Sequence, residues 1–175
     1  MSGNRSLKSI NITKTEVNDK VCVHIGTYIK QQGLILKDLN ISRNLISTDG
    51  LIALSLALKY NISIISLNLS QNYIKEGGIE ELVIALNTNR ILKELCLSTN
   101  KINNSGLSTL SGFLPVNSTL RVFDISKNNF NDTGFQDFAK ALAFNKGIDS
   151  LNISKNKDIT DEVGLKELAL ALASN

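Results

Sequence analysis

From Leu36 onward the chain repeats itself every 28 residues, and that period leaves few architectures open. The stretch Leu36, Leu39, Ile41, Asn44 and Ile46 is followed by Gly50-Leu51, Leu54, Ala57-Leu58 and Asn61. The same series restarts at Ile64, Leu92, Leu120 and Ile148. Each unit has two halves. Apolar residues at alternate positions, as in Leu39-Asn-Ile41, predict a short strand with its leucines turned inward. The apolar spacing from Gly50 to Leu58 predicts a helix. One strand and one helix cannot bury their apolar faces alone, so the units must stack on a shared core.

The unit boundaries follow from the register. A single repeat domain spans 1–175, with a degenerate first unit at 1–35. Regular units occupy 36–63, 64–91, 92–119 and 120–147, and a last unit runs over 148–175. In the first unit Leu7, Ile10, Ile12 and Val17 keep the spacing, Thr15 replaces the Asn, and Val21, Ile25, Tyr28 and Ile29 form a helical stripe. Gly33 is expected to end that helix through a left-handed cap. Asp49, Asp132-Thr133 and Asp161-Glu162 lie near helix starts, where carboxylates suit the dipole. Asn61, Asn89, Asn117 and Asn145 are expected to close helices in the left-handed conformation, and Pro115 to stop the fourth helix one or two residues early. In the last unit Lys157 and Asp158 form a two-residue insertion. Its Leu165, Leu168 and Leu172 form an apolar edge, expected to continue into a longer array or to meet another surface.

Aromatic residues are 5% of the chain and there is no Trp, so the expected core is layers of Leu, Ile and Ala. No apolar run is long enough to span a bilayer, and the N-terminus lacks the apolar segment of a secretory signal. Cys22 and Cys96 fall on a helix and a strand, which predicts two unpaired thiols and a reducing, cytoplasmic setting. The sequons at Asn40, Asn68 and Asn152 arise because the repeat spells Leu-Asn-Ile/Leu-Ser, so they are read as coincidental.

Catalytic chemistry has little to stand on. His24 is the only histidine, which argues against a His-rich metal site and a Ser-His-Asp triad. The glycines are single and set by the repeat, so no phosphate loop forms. No catalytic, cofactor-binding or metal-binding residue is assigned. A net charge of +3 with scattered cations and no interleaved aromatics does not suit nucleic acid.

The Asn at the ninth position of each unit (Asn44, Asn72, Asn100, Asn128, Asn156) has a structural reading. The chain turns there from the strand into the stack, and backbone groups lose their ladder partners. A buried amide can donate to and accept from them at once.

The residues between the inward leucines define the open face of the sheet. One column runs Ser9, Asp38, Ser66, Glu94, Val122, Ser150. The next runs Asn11, Asn40, Asn68, Cys96, Asp124, Asn152, and a third Thr13, Ser42, Ser70, Ser98, Ser126, Ser154. Cations flank the strands, with Lys8, Lys37, Lys93 and Arg121 before them and Lys14, Arg43, Lys127 and Lys155 after them. Two basic rims bordering a neutral-to-acidic strip suit an acidic protein partner, because rim charges steer association. The uncharged row Ser105, Ser108, Thr109 and Ser111 on the fourth helix is a second candidate contact patch.

The pattern LxxLxLxxNxIxxxGhxxLxxAL resembles the ribonuclease-inhibitor-like class of leucine-rich repeats over nearly the whole chain. That resemblance implies an α/β right-handed horseshoe solenoid, with a concave parallel sheet and convex helices. Proteins of this class include ribonuclease inhibitor, NOD-like receptors, the Ran GTPase-activating protein, and the actin regulators tropomodulin and CARMIL. It implies a non-enzymatic, cytoplasmic protein-binding module, scaffold or sensor, as a monomer or part of a longer chain, without membrane insertion. The alternatives are an actin-regulator-like binding domain and a GTPase activator of the Ran type.

Overall fold

The computed structural model describes residues 4, 6–31, 33–156, 159 and 163–174. Six strands, β1 (Ser9–Asn11), β2 (Asp38–Asn40), β3 (Ser66–Asn68), β4 (Glu94–Cys96), β5 (Val122–Asp124) and β6 (Ser150–Asn152), form one parallel sheet in chain order. Each is followed by a helix: α1 (Asp19–Ile29), α2 (Thr48–Leu58), α3 (Ile79–Thr88), α4 (Asn104–Ser111), α5 (Asp132–Leu142) and α6 (Gly164–Ser174). A single turn of 3-10 helix, Glu76–Gly78, leads into α3. The middle residue of every strand pairs with its counterpart, Ile10 with Leu39, then Leu67, Leu95, Phe123 and Leu151. The chain is thus an α/β solenoid whose core lies between the sheet and the helices. The insertion at Lys157 and Asp158 and the helix-start pair Asp161-Glu162 lie outside the described residues.

Several expectations need correction. Val21 does not join the apolar stripe of α1; it is exposed, and Cys22 beside it is fully buried. Val21 stands where later units carry Gly, and the reason is helix-on-helix approach. At Gly134 a Cβ would come within 2.6 Å of the Asn104 Cα in the preceding unit. The side chain of Val21 meets no such neighbour. Helix α1 ends at Ile29 with Lys30 in the right-handed region, whereas Gly33, at φ +76°, serves the following turn.

Helix α4 stops at Ser111, four residues before Pro115. The proline ring conflicts with the carbonyl four residues back. The chain over 112–116 therefore tightens, with Gly112, Phe113 and Leu114 each donating to the carbonyl three residues earlier.

The core is not uniformly aliphatic. Phe113, Phe123, Phe130, Phe135 and Phe138 are fully buried. Phe113 meets Phe123 edge-on at 5.4 Å between centroids, and Phe138 lies 6.3 Å from Phe123 and 6.1 Å from Phe135. Few aromatics in the whole chain did not mean few at one place.

Asn61, Asn89, Asn117 and Asn145 are buried, and none has positive φ. Each Oδ1 accepts two backbone N–H groups that begin the next segment, Ile91 and Leu92 for Asn89, both at 2.8 Å. Each Nδ2 donates to a carbonyl where the helical half of the preceding unit closes, as Asn89 does to Leu58 O at 2.8 Å and Asn145 to Leu114 O at 2.7 Å. These amides also join successive loops, Asn89 to Asn61 O at 3.0 Å and Asn145 to Asn117 O at 2.9 Å. A second ladder thus runs along the edge where helices return to strands.

The left-handed residues sit elsewhere. Lys14, Arg43, Gln71, Thr99, Lys127 and Lys155 have φ between 53° and 59°. From Lys14 to Lys127 each N–H reaches the neighbouring unit, Thr99 to Ser126 O at 2.9 Å. For a β-branched residue this conformation is unfavourable, by about 1–2 kcal/mol. Thr99→Asn, which keeps a polar side chain but removes the β-branch, is expected to raise stability by about 1 kcal/mol. Urea denaturation followed by circular dichroism measures this; an unchanged midpoint would mean that Thr99 carries no such strain.

Candidate interaction surface

The strands place the three columns in register, but the columns do not offer equal surfaces. In the first, Ser9, Asp38, Glu94, Val122 and Ser150 are exposed, and Ser66 is half-buried with its hydroxyl donating to Glu94 Oε2 at 2.9 Å. Asp38 and Glu94 therefore project from the open face. Val122 interrupts the polar strip with an exposed apolar side chain.

The second column is largely committed to the backbone. Asn40 Oδ1 accepts from Ser42 N at 3.1 Å, Asn68 Oδ1 from Ser70 N at 3.0 Å, Asp124 Oδ1 from Ser126 N at 2.9 Å and Asn152 Oδ1 from Ser154 N at 3.1 Å. Each side chain caps the N–H two residues on, where the strand ends. What remains for a partner is the other half of each group. Asp124 Oδ2 already accepts from Asn152 Nδ2 at 3.2 Å. At Cys96 the cap is replaced by a thiol 3.5 Å from Ser98 Oγ.

The third column is not presented as the alternation implied. Ser42, Ser70 and Ser126 are buried, and only the end member Ser154 is exposed. Beyond the strand the chain is already turning into the left-handed residue, which carries the Ser inward. The alternation rule holds only within the three-residue strand.

That turn is held by the ninth-position amides. Asn44 Nδ2 donates to Ile12 O at 2.9 Å and Ile41 O at 3.0 Å, while its Oδ1 accepts from Thr15 N and Val17 N, each at 3.0 Å. Asn72 donates to Leu69 O and accepts from Ile46 N, and Asn128 donates to Ile125 O and accepts from Ile102 N. Asn100 bridges Leu69 O, Leu97 O and Ile74 N. Asn156 donates to Ile153 O at 2.7 Å and accepts from Asn128 N at 2.7 Å. Every rung binds two units.

The cations divide into two groups. Arg43, Lys127 and Lys155 are exposed and point outward because they occupy the left-handed position, one residue before the ninth-position Asn. On the opposite rim Lys37 and Lys93 are half-buried. Arg121 is partly engaged, donating to Gly147 O at 2.7 Å and lying 3.7 Å from Asp149. The hydroxyls of α4 are also engaged. Thr109 donates to Ser105 O, Ser111 to Ser108 O, and Ser108 to Asp137 Oδ2 at 3.3 Å.

Neither cysteine is paired. Burial, and secondarily the charge of Asp19, pushes the Cys22 thiol up to about 12, so it stays protonated at neutral pH. Among the described residues no group of three or more His, Cys, Asp or Glu is placed to hold a metal ion. No helix among them is long and apolar enough to cross a membrane. In the last unit Leu165 and Leu172 are exposed. An open recess of ≈ 410 Å³ lies between β6 and α6, lined by Leu142, Ile148, Leu151, Ile153, Leu168 and Leu172.

Comparison with known proteins agrees with this geometry. The family described as Leucine Rich repeat matches residues 35–55, 88–111 and 116–139. A solved structure described as leiomodin-1 actin-binding site 2 superposes with a TM-score of 0.68, over 81% of this chain and 82% of that one, at 20% identity. No curated protein sequence matches the chain. With a 28-residue period, one strand and one helix per unit and an Asn rung between units, the chain is a leucine-rich-repeat protein.

Proposed function

We propose that this chain is a non-enzymatic protein-interaction module that binds actin or an actin-associated protein across the open face of its sheet. The carrying observation is the display itself. Asp38 and Glu94 project from register-locked strands, with Arg43, Lys127 and Lys155 exposed along one border and the half-buried Lys37 and Lys93 along the other. Rigid elements that hold charges at fixed spacing lower the ordering cost of binding. The likeness in fold to leiomodin-1 actin-binding site 2 supports the choice of partner class. The cationic borders support an acidic contact surface on that partner.

The test is co-sedimentation with filamentous actin and fluorescence titration with monomeric actin. It compares wild type with a variant carrying Lys37→Glu, Arg43→Glu, Lys93→Glu and Lys127→Glu. Binding by wild type, weakened at least about tenfold in the variant at an unchanged unfolding midpoint, is the expected result. Absence of binding to either form of actin would sink the actin reading. Equal affinity of wild type and variant would remove the rims from the site.

A further inference from the structure

The edge formed by the helix-to-strand loops has a character that the open face does not share. With all six strands parallel and in chain order, the loops 30–37, 59–65, 89–93, 112–121 and 143–149 emerge along one side of the solenoid. They hold seven of the 19 Lys and Arg residues but only one of the 16 acids, Asp149. These five loops therefore carry +6 in a chain whose total is +3.

Large apolar side chains stand on the same edge. Tyr60 is 65% exposed, Ile62 69%, Val116 50% and Phe144 69%. Tyr60, Val116 and Phe144 each directly precede a rung of the second Asn ladder, so they share one position in three of the four regular units, the remaining unit carrying Thr88. The bonds from Asn89 to Asn61 O, Asn117 to Asn89 O and Asn145 to Asn117 O hold these loops together. The row is therefore rigid, and its side chains project from separate loops. A recess of ≈ 50 Å³ beside Tyr60 is bounded by residues 29–31 and 60–63, and a hollow beside Phe144 by α5 and α6. Neither joins the projecting side chains into a groove.

We propose that this edge docks on a membrane surface rich in anionic phospholipid. Tyr60, Ile62, Val116 and Phe144 enter the headgroup region, while Lys59, Arg90 and Lys146 meet lipid phosphates and carboxylates. A row of separate projections with no groove between them fits a fluid surface, whereas a protein partner needs a matching pocket for each anchor. Lys59 Nζ lies 5.5 Å from the centre of the Tyr60 ring, so cation and ring reach the same depth. Each Lys or Arg near an anionic bilayer strengthens attachment by about fivefold. Docked this way, the solenoid stands on edge and leaves the open face of the sheet free. The proposal does not depend on the identity of that face's partner.

The chain has no Trp, so Phe144→Trp is a unique reporter. Tyr73→Trp on the opposite edge, a position 46% exposed, is its control. Vesicles of phosphatidylcholine with phosphatidylserine are compared with vesicles of phosphatidylcholine alone. The expected result is a blue shift of Phe144→Trp with the anionic vesicles only, and none for Tyr73→Trp. Co-sedimentation with those vesicles should fall at least about tenfold in the triple variant Lys59→Glu, Arg90→Glu, Lys146→Glu. It should also fall in Tyr60→Ser with Phe144→Ser. Lys59 is half-buried and the other four positions are exposed, and an unchanged urea midpoint confirms folding. Failure of the wild type to sediment with anionic vesicles would overturn the proposal, as would binding with no shift at Phe144→Trp. Binding to polyglutamate but not to vesicles would overturn it in favour of an acidic protein surface.

Discussion

Phe123→Ala is expected to lower the unfolding free energy by about 4 kcal/mol, the largest effect of any single truncation considered for this chain. The ring is fully buried in β5 and touches Phe113 from one side and Phe138 from the other. Its removal leaves a cavity that neither ring can fill without leaving its own packing. Phe123→Leu should cost about 1 kcal/mol, because Leu occupies the same strand position in β2, β3, β4 and β6. In a stacked array the loss is felt first by the unit that holds the cavity. Urea denaturation gives the total, and amide hydrogen exchange should show faster opening around α5 than around α2. Equal protection in both helices after Phe123→Ala would mean that the stack unfolds as one unit.

Asn100→Leu is expected to cost about 3 kcal/mol in the same measurement. The substitution conserves burial but removes one acceptor and two donors. Ile74 N, Leu69 O and Leu97 O are then left without the amide that joins them. All three lie in the turn between units, so the loss also loosens the contact between neighbours. Ser98→Ala, two residues away on a half-buried side chain, should be nearly silent. A small effect of Asn100→Leu would show that the backbone closes the turn without the side chain.

The comparison between residues and structure is clearest at the asparagines. The ninth-position Asn could be assigned a bonding role from its chemistry, because a turn that leaves its ladder must satisfy its backbone groups somehow. Asn61, Asn89, Asn117 and Asn145 recur just as regularly, but their place at helix ends suggested a conformational role instead. They are buried amides without positive φ, and the left-handed non-glycine residues are, Glu16 apart, the Lys, Arg, Gln and Thr one place before the ninth position. A period says which residues are equivalent; it does not say which dihedral angles equivalent residues adopt.

The open face shows the same division. Alternation placed Asp38, Asn40, Glu94, Asp124 and Asn152 on one side of the sheet, and the strand register keeps them there. Which of their oxygens are free was not legible, because each cap depends on where the strand ends and the chain turns. The exposed row Tyr60, Val116 and Phe144 was missed for a related reason. The repeat pattern assigns no role to the residue before each second-ladder Asn, and only the position of the loop relative to the stack shows that these three project away from it.

By itself the sequence determined the repeat, the parallel order of the strands and the residues facing the core, because period and polarity act locally and recur in every unit. Tertiary structure alone decided the burial of the third Ser column, the aromatic block of the third and fourth regular units and the early end of α4. It also decided the gathering of cations and rings on one edge. Those depend on which groups of different units meet, and contact across 28 residues is a property of the stack rather than of any one unit.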